Sequence, residues 1–225
     1  MATHRPLKTL LSWSSGKDSA WTLFTLRRDP RYDVAGLITT MNREADRVAM
    51  HAVRSELLRA QASAAGLPLR EIPIPSPCSN ADYESIMSQF FTEVVREGID
   101  CIAFGDLFLE DIRAYREQKM AGTGLTPIFP LWGRDTRALA GEMIDGGLRA
   151  RITCVDPRQV PSTLAGREFD RTLLEDLPAT ADPCGEGGEF HTFAYAGPMF
   201  AAPIAVECGI VVERDGFVFC DLLPA

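Results

Sequence analysis

The sequence predicts an α/β fold, a parallel sheet sandwiched by helices with a smaller C-terminal α+β portion. Three observations carry this reading. Four short runs rich in apolar, β-branched or aromatic residues, at 8–13, 33–40, 69–75 and 100–104, alternate with segments of helical period. Such alternation is the signature of a parallel sheet with helices on its faces. A run of small polar residues, SWSSGKDS at 12–19, interrupts the apolar pattern directly after the first strand. After residue 125 the texture changes, with Pro127, Pro130, Pro157, Pro161, Pro178 and Pro183 cutting the chain into short pieces.

Taken in order, KTLLSW at 8–13 reads as the first strand, and Trp21, Leu23, Phe24 and Leu26 give the following helix an apolar side. DVAGLITT at 33–40 is the second strand. Segment 49–65 carries Met50, Val53, Leu57 and Leu58 on one side and closes at Gly66-Leu67-Pro68, a helix ending. LREIPIP at 69–75 is the third strand. Segment 81–97 has Tyr83, Ile86, Met87, Phe90, Phe91, Val94 and Val95 in a stripe spaced by three and four that stops at Gly98, the clearest helix of the chain. DCIAF at 100–104 is the fourth strand, and Arg113, Arg116 and Lys119 share one side of a further helix. Beyond it lie a helix near 135–146 with Leu139, Met143 and Ile144, a strand at 150–155, and two strands within 203–222 joined by Glu213-Arg214-Asp215-Gly216, whose Asp-Gly pair suits a hairpin turn. The expected division is an N-terminal α/β domain at 1–125 and a smaller substrate-binding portion at 126–225.

Composition narrows the function. Hydrophobic residues make up 46% and charged ones 24% of 225 residues, ordinary for a globular protein, and no apolar run approaches the ~18 residues of a membrane span. The short apolar stretch at the N-terminus leads straight into the polar motif, unlike a signal peptide, so the expected location is the cytoplasm. Six cysteines without a CxxC pair signal neither a zinc ribbon nor a redox dithiol, which argues against thiol transfer through Cys78 or Cys184. A formal charge of −8 argues against a nucleic-acid partner but leaves room for a nucleotide. The C-terminal strands suit pairing within the chain or an edge for a second copy in a homodimer.

A loop between a parallel strand and its helix lies at the carboxyl edge of the sheet, where backbone N–H groups and the helix dipole favour an anion. Ser14, Ser15, Gly16 and Ser19 are small donors, Lys17 adds positive charge, and Asp18 is placed to cap the helix or to face a magnesium ion held by phosphates. The bland alternative is an ordinary strand-to-helix turn. A Walker A loop is excluded because Asp18 follows Lys17, and no dinucleotide fingerprint is present. Other candidates have plain rivals too. His51 and Arg54 either reach toward phosphate or decorate the surface. Arg113, Arg116 and Lys119 form a solvated face by default, and Glu189 with His191 lacks a matched third ligand for a metal.

SSGKDS resembles the SGGxDS signature of the PP-loop, or N-type, ATP pyrophosphatases, with Ser15 where that superfamily usually has its first glycine. The segments ITTMNREADRVAMHAVRSELLRAQASAAGLPLREIPIP, GDLFLEDIRAYRE, PLW and CGEGGEFHTFAYAGP resemble, in order, the signature segments of one branch, the diphthine–ammonia ligase family, over most of residues 8 to 200. The resemblance implies a HUP-like, Rossmann-like fold and ATP as cofactor with magnesium. It implies that Ser14, Ser15, Gly16, Lys17, Asp18 and Ser19 hold the phosphates, that the stretch from Leu37 to Thr39 frames the adenosine, and that Gly105 and Asp106 lie beside the loop. Glu186 and Glu189 would sit in the site contributed by the C-terminal portion, binding ammonium, taking its proton or coordinating magnesium, unless they are solvated loop carboxylates. The implied reaction is adenylation of a carboxylate with release of pyrophosphate, followed by attack of ammonia. The partners are then ATP, ammonia and a carboxylate-bearing acceptor. His191 stands where archaeal and eukaryotic members tend to carry an acidic residue, so the acceptor is left open between diphthine, a cobalamin precursor in some bacterial members, and others. A nucleotide-binding regulatory module without ligase activity is the alternative of another class.

Overall fold

The computed structural model describes residues 5–42, 47–48 and 53–225. His51 and the start of segment 49–65 lie outside them. The chain runs β1 (Leu7–Ser12), α1 (Lys17–Arg27), β2 (Tyr32–Asn42), β3 (Arg47–Val48), α2 (Ser55–Ala65), β4 (Leu69–Ile74), α3 (Asn80–Arg96), β5 (Cys101–Ala103), α4 (Glu110–Met120) and β6 (Thr126–Ile128). It continues through α5 (Thr136–Asp145), β7 (Arg149–Val155), α6 (Arg171–Asp176), β8 (Phe190–Ala196), β9 (Val206–Arg214) and β10 (Phe217–Pro224).

Five parallel strands form the first sheet in the order β4-β2-β1-β5-β6, with β3 added antiparallel to β2. This is the Rossmann-like order, and the chain reverses its direction of winding between β1 and β5. The central strands β1 and β5 read as apolar runs because both faces are covered. Leu11 and Leu37 face a core with α1 and α2, where Trp21, Leu23, Leu57 and Leu58 are buried. Their neighbours Leu10 and Ile38 face the opposite core with Phe90, Phe91 and Val94 of α3. β6 is an edge strand, the position where Pro127 costs no ladder bond.

The second sheet is antiparallel, in the order β8-β7-β10-β9. Its hairpin turn places Asp215 and Gly216 at φ 54° and 78°, the two left-handed positions that an Asp-Gly turn supplies. The two sheets share apolar packing, for the core under α1 and α2 runs on through Leu139 and Met143 of α5, Ala150 and Ile152 of β7, and Phe193 of β8.

Local sequence sets the helix ends. Ser79 accepts a bond from the Asp82 N–H at 3.1 Å, Asp135 from Ala138 at 2.7 Å, and Asp170 from Leu173 at 2.8 Å, each capping its helix. Helix α1 differs, because Gly16 precedes it without a side chain to cap with.

Where α5 ends, its backbone meets α1 at close range. A Cβ at Gly146 would stand 2.4 Å from Trp21 Cη2 and 2.9 Å from the Glu142 carbonyl oxygen. Gly146→Ala is therefore expected to destabilise the protein by roughly 1–3 kcal/mol through overpacking. Thermal unfolding should show the midpoint falling; an unchanged midpoint would mean that this seam is looser than described.

Candidate functional site

At the reversal point, the segments that follow the paired strands β1 and β5 lead to helices on opposite faces of the sheet, at the carboxyl edge where ligands of open α/β sheets bind. The Trp13–Gly16 loop reaches this edge from β1, and Phe104-Gly105-Asp106 reaches it from β5. The two loops touch. A Cβ at Gly105 would lie 3.1 Å from the Asp18 carbonyl carbon and 3.2 Å from the Ser19 nitrogen, a tight fit against backbone that glycine relieves at the first turn of α1.

The loop has an unusual backbone. Ser15 is buried and adopts φ 70°, a left-handed conformation that non-glycine residues seldom take. Ser14 Oγ lies 3.3 Å from Ser19 Oγ and accepts a long bond from the Gly16 N–H at 3.4 Å, drawing the loop around the helix N-terminus. From the second sheet, Thr192 Oγ1 accepts the Lys17 N–H at 3.1 Å and the Ala194 N–H donates to the Ser15 carbonyl at 2.9 Å. The N-terminus of α1 is thus capped by a strand 175 residues further along the chain.

Lys17 is 2% exposed. Its ammonium donates to Asp18 at 2.8 Å and to the Cys184 carbonyl, and lies 5.5 Å from the ring centres of Phe169 and Phe190. Burial pulls its pKa down, but the carboxylates of Asp18 and Glu186 help to push it above the ordinary lysine value, so it stays charged. Asp18 itself keeps 26% of its side chain exposed.

The segment after Cys184 brings two carboxylates to different fates. Glu186 Oε1 accepts the Leu107 N–H at 2.7 Å, which sets it against the β5 loop. Burial, opposed by that hydrogen bond and assisted by the charge of Asp18, pushes its pKa up to about 7. Glu189 is 5% exposed and accepts the Asp182 N–H at 2.9 Å through Oε1, while Oε2 makes no hydrogen bond. It turns into the loop it closes, away from solvent. Asp182 Oδ2 in turn accepts from Glu186 N at 2.9 Å and Cys184 N at 3.2 Å. Asp106 forms a two-pronged pair with Arg116 at 2.6 and 3.0 Å, and Arg116 lies 4.3 Å from the centre of the Phe104 ring.

Beside the loop opens a cavity of about 460 Å³, walled by Ser14, Thr39, Thr40, Phe104, Tyr83 and Met87 among others. Thr39 lines it; Leu37 is fully buried in the core under α1 and α2 and does not, its place on the wall being taken by Ile38. Arg116 and Lys119 also line the cavity. Arg113, Arg116 and Lys119 are all paired, with Glu117, Asp106 and Glu84, rather than forming a plain solvated face. Arg54 pairs with Asp221 of β10. Among the described residues no group of three or more His, Cys, Asp or Glu is arranged to hold a metal ion. His191, on β8, is half-buried, and desolvation lowers its pKa, with the charge of Lys17 adding to the effect.

Sequence reasoning missed Gln61. This fully buried side chain of α2 bonds Trp13, Ser15 and Ala194. The available signal was a polar residue at an apolar position of the helical stripe Leu57, Leu58, Gln61, Ala62, Ala65.

These features define a class: a Rossmann-like protein whose first strand, loop and helix border a crevice completed by a second sheet. Residues 7–126 match the diphthamide synthase N-terminal domain and residues 135–219 the diphthamide synthase C-terminal domain. The chain belongs to the diphthamide synthase family. It is 27% identical to the diphthine–ammonia ligase of Bos taurus over 152 residues, 65% of this chain and 57% of that protein. It is 29% identical to that of Danio rerio over 127 residues (54% and 49%) and 26% identical to that of Homo sapiens over 147 residues (63% and 55%). The chain spans about half the length of the curated relatives it matches. Among the described residues no helix is long and apolar enough to cross a membrane.

The raised pKa of Glu186 has a consequence for stability. Its folded value of about 7 lies above the ordinary 4.5, so the fold prefers the protonated form. Stability is then fully present below pH 4.5 and falls as pH rises toward and through 7. Glu186→Gln, which keeps an acceptor for Leu107, should raise the unfolding midpoint at pH 8 by about 2 °C or more and leave it unchanged near pH 4. Equal shifts at both pH values would contradict the burial of this carboxyl.

Proposed function

We propose that this protein is an ATP-dependent ligase that adenylates a carboxylate and transfers ammonia to it. The observation that carries the reading is the N-terminus of α1, wrapped by Ser14–Gly16 at the β1/β5 reversal point and flanked by both a nucleotide-sized cavity and Glu186. Acyl adenylation needs no side-chain nucleophile. The acceptor carboxylate attacks the α-phosphorus of ATP, pyrophosphate leaves, and ammonia then attacks the acyl carbon and expels AMP. Catalysis is positioning plus electrostatic stabilisation of the phosphate oxygens.

In this reading the phosphates lie against the backbone and hydroxyls of Ser14, Ser15, Gly16 and Ser19, with Lys17 supplying positive charge from its buried position. The adenosine enters the cavity along Thr39, with Leu37 supporting the strand from behind. Gly105 lets the β5 loop close on the helix, and Asp106, held by Arg116, borders it. Glu186, titrating near neutrality, is suited to take a proton from ammonium. Glu189 shapes the loop that presents Glu186. The donor set suits magnesium in one way only: a hard carboxylate, Asp18, partly open beside the anion site, fits an ion that is otherwise carried by the phosphates. Such an ion would neutralise charge on the leaving pyrophosphate. Ammonia and a carboxylate-bearing acceptor are the remaining partners, and diphthine, which the relatives' names carry, is the first acceptor to try. We place the activity in the cytoplasm, with the α/β portion up to β6 binding ATP and the remainder shaping the acceptor side.

The test follows the phosphorus by ³¹P NMR, with Mg-ATP, ammonium and a panel of acceptors that includes diphthine on an elongation factor. AMP and pyrophosphate should appear only with acceptor. Lys17→Ala/Asp18→Ala should abolish them, and Glu186→Gln should slow them by about 10²–10⁴-fold. ADP and phosphate as products, or binding without α–β cleavage for every acceptor, would refute the ligase and favour a regulatory nucleotide-binding module.

A further inference from the structure

We propose that Gln61 is the positioning residue of the phosphate loop, aiming the Gly16 N–H into the anion site. The inference rests on the nucleotide reading of that loop.

Gln61 is fully buried and uses its whole amide. Oε1 accepts the indole N–H of Trp13 at 2.9 Å, and Nε2 donates to the Ser15 carbonyl at 2.9 Å and to the Ala194 carbonyl at 2.6 Å. These contacts also fix its amide orientation, since only the NH₂ group satisfies two carbonyls. The Ser15 carbonyl accepts a second bond from the Ala194 N–H at 2.9 Å, so both of its lone pairs are engaged and its direction is fixed from two sides.

A trans peptide is planar, with its N–H antiparallel to its C=O. Holding the Ser15 carbonyl toward Gln61 and β8 therefore turns the Gly16 N–H the opposite way, to the side where Ser14 Oγ lies. Ser15 itself sits at φ 70°, a conformation that costs a residue with a side chain, so the peptide these bonds fix follows a strained residue. Because Gln61 also bonds Trp13 before the loop and Ala194 in β8, one side chain sets the loop against both α2 and the second sheet.

Isothermal titration calorimetry with Mg-ATP, using wild type, Gln61→Met and Gln61→Glu at pH 6 and pH 8, tests this. Far-UV circular dichroism and thermal midpoints establish the folded fraction of each. A positioning role predicts Gln61→Met binding with unchanged stoichiometry and about 10- to 100-fold weaker affinity, since hydrogen-bonded carbonyls lose their donors. A merely structural role would lower the stoichiometry in step with the folded fraction while the remaining sites keep wild-type affinity, and that result would overturn the proposal. If Gln61→Met does not fold, Gln61→Glu decides. Its carboxyl donates to a carbonyl only when protonated, so it should bind Mg-ATP more tightly at pH 6 than at pH 8 relative to wild type. Affinity equal to wild type at both pH values would overturn the inference while leaving the nucleotide site intact. A wild type that does not bind Mg-ATP would remove the nucleotide reading, and the role of Gln61 with it.

Discussion

The structure depends on how the backbone between β1 and α1 finds its hydrogen-bond partners. A helix N-terminus leaves its first N–H groups without partners inside the helix, and three of the six α-helices described, α3, α5 and α6, solve that with a Ser or Asp cap. Helix α1 has Gly16 at that position. Its first N–H is satisfied by Thr192, and the carbonyl of Ser15 by Ala194 and Gln61. Partners for the first strand-loop-helix unit thus come from β8 and α2, which makes the second sheet part of the loop's architecture. Continuous apolar packing from α1 through α5 to β8 holds those partners at the required distance.

Charge around this point follows from the same arrangement. Lys17 is buried where the two sheets meet, and a buried ammonium is tolerable only when paired. Asp18, the Cys184 carbonyl and the faces of Phe169 and Phe190 provide that environment. In satisfying Lys17, the segment from Asp182 to Glu189 is drawn against the sheet edge, which carries Glu186 to the Leu107 N–H and into surroundings that lift its pKa. Asp106 is kept in place by Arg116, whose guanidinium also stacks on Phe104. The acidic groups at the crevice therefore have distinct environments despite their proximity.

Much of this was legible in the sequence because it depends on local pattern. The parallel strands β1, β2 and β5 carry largely apolar, mostly buried runs, β4 a short apolar run at the sheet edge, α3 a regular stripe, and the Asp215-Gly216 turn its own signal. β6 was not legible, because Thr126-Pro127-Ile128 is short and holds a proline tolerated only at an edge. β8 was not legible either, since Phe190–Ala196 is defined by pairing with β7 and not by a clean alternation of burial. The small polar loop announced itself by breaking the strand pattern. Its supports did not, for Gln61 and Thr192 act across 46 and 175 residues of sequence separation, distances over which periodicity carries no information. Nor does spacing reveal that Glu189 turns inward while Glu186, three residues earlier, faces the sheet edge.

The central claim is that the loop at 14–19 and the segment at 184–194 form one nucleotide-responsive unit. Hydrogen–deuterium exchange with and without Mg-ATP, read by mass spectrometry on wild type and Thr192→Val, tests it most directly. The account predicts that the nucleotide slows exchange in both segments together in wild type, and that Thr192→Val weakens the effect in both. Protection of the loop with the 184–194 segment unchanged, or no protection of the loop at all, would contradict it.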